Sequence, residues 1–117
     1  MANREQQMLD LVEAIHQHEA RLMEIQRKLE SVQDHILSIR NRLWIDVSLE
    51  TDERGRRIYT NRDLRRAEVA LRMDGNAGAR ALRDRQSRLR QEHSRVAAEK
   101  NYLRDKLEVL RLFAASK

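Results

Sequence analysis

Met8, Leu11, Ile15, His18, Leu22, Ile25, Leu29, Val32, Ile36, Ile39 and Leu43 follow one another at alternating steps of three and four residues. An apolar repeat of about 3.5 residues keeps one stripe of a helix turned toward a partner helix, so this stretch is specified for coiled-coil packing. Only His18 interrupts the stripe, at a position where a polar layer sets the register of the pairing. The spacing predicts a first helix over residues 3–46, about 65 Å long at about 1.5 Å per residue. Met23, Leu37 and Trp44 lie outside the stripe and add apolar surface to the same helix. Self-association through Leu11, Ile15, Leu22, Ile25, Leu29, Val32, Ile36, Ile39 and Leu43 is therefore expected, with the chain as a homo-oligomer.

Composition agrees with long helices. Proline is absent, glycine occurs three times and 37% of the residues are charged, which leaves few helix stops and little material for a globular core. One coiled-coil domain over residues 1–117 is the expectation. No run of about 18 apolar residues is present, and MANREQQMLD lacks the basic start and apolar middle of a signal peptide. A soluble, cytoplasmic protein without membrane contact is expected. The lack of cysteine excludes disulfides and thiolate metal sites.

Charge is unevenly spread. Residues 1–50 carry six basic and nine acidic side chains, residues 51–90 twelve and six, and residues 91–117 six and four. An acidic first helix folded against a basic second one gains a preferred orientation, although each exposed ion pair contributes only about 0–1 kcal/mol.

From Val47 the pattern changes to VSLETDERGRRIYT, where β-branched and apolar residues flank a polar segment containing Gly55. This reads as a short β-hairpin or connector over 47–60, with Thr51 opposite Arg56, Glu50 opposite Arg57, Leu49 opposite Ile58 and Ser48 opposite Tyr59. An irregular connector with a type I turn is the alternative. Thr60 or Asn61 then caps a second helix over 61–115, with Asp63 in its first turn. Leu64 and Leu71, and beyond them Leu82, Leu89, Val96, Leu103 and Leu110, recur at seven-residue intervals on either side of Gly75. The DGNAG segment either breaks that helix near Gly75 or leaves it continuous but weakened; continuity is expected, at a cost of about 2 kcal/mol for two glycines.

The fold class is thus all-α: an antiparallel helical hairpin whose two long helices are joined by a short β-hairpin. Centring the turn near residue 54 sets Leu43 beside Leu64, Ile36 beside Leu71 and Leu11 beside Val96. Leu107, Leu110, Leu112 and Phe113 then project past the first helix as a tip for a protein partner.

Catalytic signatures are lacking. There is no phosphate-cradling glycine loop, nucleophile elbow or metal motif, and His16 and His18 lie about 200° apart around a helix. No enzymatic activity and no cofactor are expected. Arginine is the enriched type: Arg54, Arg56, Arg57, Arg62, Arg65 and Arg66 crowd the connector and the start of the second helix. They are candidates for nucleic acid or another acidic partner, against the alternative of a solvated surface. A second group, Arg80, Arg83, Arg85, Arg88 and Arg90, is split between two sides of the helix and reads as ion-paired, snorkelling side chains.

The segment TDERGR at 51–56, followed by Tyr59-Thr60-Asn61 and by Arg65, Ala67, Ala70 and Leu71, resembles small bacterial and phage-encoded coiled-coil proteins, mostly of unassigned function. The stretch EKNYLRDKL at 99–107 is similar to their closing helix, whereas DGNAGA departs from the more helical residues expected there. This resemblance implies a structural or accessory protein with no catalytic residues to transfer. In outline, helix, hairpin and helix also resemble the β-type subunit of prefoldin, which implies a chaperone whose helix tips hold unfolded clients. A coiled-coil scaffold or accessory protein is the main expectation; a nucleic-acid-associated protein and a prefoldin-like chaperone are the alternatives.

Overall fold

A computed structural model describes residues 2–116 and contains three helices: α1 (Ala2–Leu49), α2 (Arg62–Gly75) and α3 (Ala77–Ala115). The chain divides into two compact units. One is the central stretch Glu30–Arg88; in the other, the chain up to Leu29 meets the chain from Leu89 onward.

The stripe on α1 is filled by the chain itself. Leu11, Ile15, Ile25, Val32 and Ile36 are buried, and Leu22, Leu29, Ile39 and Leu43 are half-buried. In α3 the inward positions are Ala79, Leu82, Gln86, Leu89, His93, Val96, Lys100, Leu103, Leu107 and Leu110, again in steps of three and four, and none of them is exposed. The two stripes run antiparallel in each unit. In the terminal unit Leu11, Ile15 and Leu107 form a cluster with Met8, Val12, Leu103 and Leu110 packed on it. In the central unit a side-chain carbon placed on Gly78 would meet the Ile39 side chain at 3.9 Å.

Polar layers fix the register. Gln86 Nε2 donates to Gln33 Oε1 at 2.8 Å, and the His18 ring lies within hydrogen-bond distance of Glu99 through Nε2 (3.1 Å) and of the Ala14 carbonyl through Nδ1 (2.7 Å). Arg21 pairs with Glu92, and Lys100 and Arg104 reach Glu19 at 3.7 and 3.8 Å. These pairs are partly exposed and contribute more to register than to stability. They set Leu11 beside Leu107, not beside Val96 as the sequence predicts.

The β-hairpin does not form. α1 continues past residue 46 to Leu49 because Val47, four residues after Leu43, takes the next inward place and is 1% exposed. Burial of that side chain outweighs the strand preference of Val47. Beyond the helix a single bridge joins Thr51 to Arg57, and the Ile58 N–H donates to the Glu50 carbonyl at 3.1 Å. The pairing is thus shifted by one residue from the expected Thr51–Arg56 register, and no strand forms among the described residues. Asp52 is the reason the ladder stops. Its Oδ1 accepts the N–H groups of Arg54 and Arg56, both at 2.9 Å, and its carbonyl accepts from Gly55 at 3.0 Å. A side chain that takes the donors of the loop replaces strand pairing with an Asx turn. Gly55 closes it at φ +76°, a conformation in which an L side chain is strained.

Asn61 caps α2 as anticipated, its Oδ1 accepting the Leu64 N–H at 2.9 Å. The expected continuous second helix is interrupted at one residue, Asn76, which ends α2 and starts α3. Its N–H donates to the Met73 carbonyl, its own carbonyl accepts from Arg80, and its Oδ1 accepts from the Ala79 N–H at 2.9 Å. Phase explains the break. Extending the α3 stripe backward from Ala79 in steps of four and three lands on Gly75, Arg72 and Glu68, yet the buried residues of α2 are Met73 and Val69. The interruption absorbs that one-residue shift, and Leu64 and Leu71, expected inside, are exposed. Replacing Asn76 by Ala removes the cap and is expected to cost about 1 kcal/mol, read as a lower denaturation midpoint at unchanged slope. An unchanged midpoint would mean the cap contributes nothing.

Candidate interaction surfaces

The six connector arginines do not form one cluster. Arg54, Arg56 and Arg57 lie exposed on the Asx turn, while Arg62 and Arg66, one turn apart on α2, face a groove shared with α1. Arg65 is already engaged: its guanidinium lies over the Trp44 ring, 5.9 Å from the centroid, and Nη1 donates to the Tyr59 carbonyl at 3.3 Å. Arg72 bonds Glu68 within α2 at 2.9 Å, ties α2 to Glu50 just past the end of α1, and lies over the Tyr59 ring. Glu68, then Glu50, hold its guanidinium protonated beyond the ordinary arginine range.

The groove belongs wholly to the central unit and encloses about 630 Å³. Arg40 and Trp44 of α1 form one wall and Arg62 and Arg66 of α2 the other, with Val69 and Met73 beneath. Arg83, at its margin, is paired with Asp74 at 3.0 Å. Among the described residues no carboxylate lies within ion-pair distance of Arg40, Arg62 or Arg66. Sequence reasoning found Arg62 and Arg66 but missed Arg40 and Trp44. The available signal was their spacing of four on α1, beside the seam, which puts both on one side of the helix.

The nine residues proposed as an oligomer interface all lie in the intrachain packing described above. Leu107 and Leu110, proposed as part of a projecting tip, pack beside Leu11 and Met8; Leu112 and Phe113 are exposed on α3. In the central unit apolar side chains are left open on α1, at Ile45 and Leu49, on the connector at Ile58, and on α2. Leu64, Ala67 and Leu71, at i, i+3 and i+7, are all exposed, Leu71 to 67%. No helix is long and apolar enough to cross a membrane among the described residues, and no group of three or more His, Asp or Glu side chains there is placed to hold a metal ion.

Comparison of the chain with family models, with curated proteins and with solved structures finds no match in any of the three.

Proposed function

We propose that this chain is a non-enzymatic helical scaffold or accessory protein that works by self-association and protein–protein contacts. What carries the reading is the outer row Leu64, Ala67 and Leu71 on α2, which has the spacing of a coiled-coil seam and which the chain itself leaves uncovered. The long seam of α1 is spent within the chain, so association uses this outer face instead. A second copy of α2 offers the same row, and an isologous contact between two such rows closes as a dimer. Exposed Leu112 and Phe113 on α3 supply a further apolar surface for a protein partner.

Light scattering after size exclusion, at low and high salt, tests this. The expected mass is a multiple of 13.9 kDa that persists at high salt, since apolar contacts are not screened. The double replacement Leu64→Glu and Leu71→Glu is expected to return it to 13.9 kDa with helicity unchanged, because both side chains are exposed. A single-copy mass for the unmodified chain under every condition would reject self-association.

A further inference from the structure

We propose that the groove between α1 and α2 in the central unit binds single-stranded nucleic acid, holding phosphates on Arg40, Arg62 and Arg66 and a base against Trp44. Three observations combine here. The three guanidinium groups have no carboxylate partner among the described residues, although the same unit holds Arg72 and Arg83 in ion pairs. Their charge is thus available to an incoming anion. Next, Val69 and Met73 close the base of the groove, almost fully buried, so the ring surface it offers beside the arginines is the Trp44 indole. Last, the indole is held in place, because Arg65 lies over it and is itself tied to the Tyr59 carbonyl.

The ligand must match this alternation. A single strand carries phosphates that arginine binds bidentately and unstacked bases that lie on aromatic and apolar side chains. A duplex keeps its bases stacked inside, out of reach of Trp44. An acidic peptide or inorganic polyphosphate would use the arginines and leave the indole idle. The volume of about 630 Å³ suits a short stretch of strand and not a folded domain. The site is separate from the Leu64, Ala67 and Leu71 row, so it stands whether or not the chain self-associates.

Trp44 is the single tryptophan, which makes its emission a reporter placed in the groove itself. The experiment titrates the full chain with an oligo(dT) of about eight nucleotides, following Trp44 emission and the anisotropy of a labelled strand from about 50 to 200 mM salt. Expected are quenching of the emission, weakening with salt, and an affinity at least about tenfold lower for Arg62→Gln with Arg66→Gln, with the salt slope reduced by about 1.4 for two lost phosphate contacts. Both arginines are exposed, and circular dichroism checks that the variant keeps its helices. Arg88→Gln with Arg90→Gln removes the same charge from exposed positions of α3 and is expected to change the affinity by less than about twofold. Three results would each overturn the proposal: no change in Trp44 emission at low salt, equal losses in the two double variants, or the same quenching by polyglutamate or inorganic polyphosphate.

Discussion

Val32→Asp is expected to unfold the chain, not to separate chains from one another. Val32 is 2% exposed and sits in the α1 stripe between Leu29 and Ile36. Among the described residues no polar or charged residue is buried in this core to receive a carboxylate. An uncompensated buried charge costs about 4 kcal/mol or more, most or all of the stability of a small domain. Circular dichroism should show loss of helicity and of the cooperative melting transition, at low and at high protein concentration alike. A variant that melts like the unmodified chain would mean that Val32 is not in the core, and one that keeps its helicity but runs as a single copy of 13.9 kDa would place Val32 between chains.

Met73→Ala is the second change with a large expected effect. α2 has 14 residues and buries two of them, Val69 and Met73, the latter to 2% exposure. A helix of that length is marginal in isolation, so its order depends on that contact together with the Arg72 pairs to Glu50 and Glu68. Removing the buried thioether costs about 2–5 kcal/mol through lost transfer energy and the cavity left behind. Hydrogen exchange of amides 62–75 should accelerate well beyond that of α1. Unchanged protection there would mean that something other than Met73 docks α2.

Much of the molecule is legible along the chain. The 3.5-residue stripe of α1 places its own inward residues, since a helix decides locally which side chains share a face. Asn61 signals its cap through position and side-chain chemistry, and the seven-residue row from Leu82 to Leu110 marks the half-buried or buried side of α3. Two features differ from the sequence pattern for definite reasons. Val47 and Leu49 suggest strand by residue type, but the space waiting for Val47 in the seam extends the helix. Leu64 and Leu71 suggest core by type and spacing, but the phase change at Asn76 turns Val69 and Met73 inward and leaves the leucines outside.

The groove was only half legible, because Arg62 and Arg66 stand far from Arg40 and Trp44 in sequence. Their meeting requires knowing where α1 stops and how α2 lies against it. The same holds for register: Leu11 could face any apolar residue of α3 as far as hydrophobicity is concerned. By itself, then, the sequence determined the helical class, the inward face of α1 and the cap of α2, each a matter of interactions within a few residues. Tertiary structure alone decided that Leu11 meets Leu107, that the helix breaks in phase at Asn76 and that arginines from α1 and α2 share one groove. The physical reason is that apolar burial is non-directional: it brings stripes together, and only polar layers such as Gln33–Gln86 and His18–Glu99 select which of the possible alignments is kept.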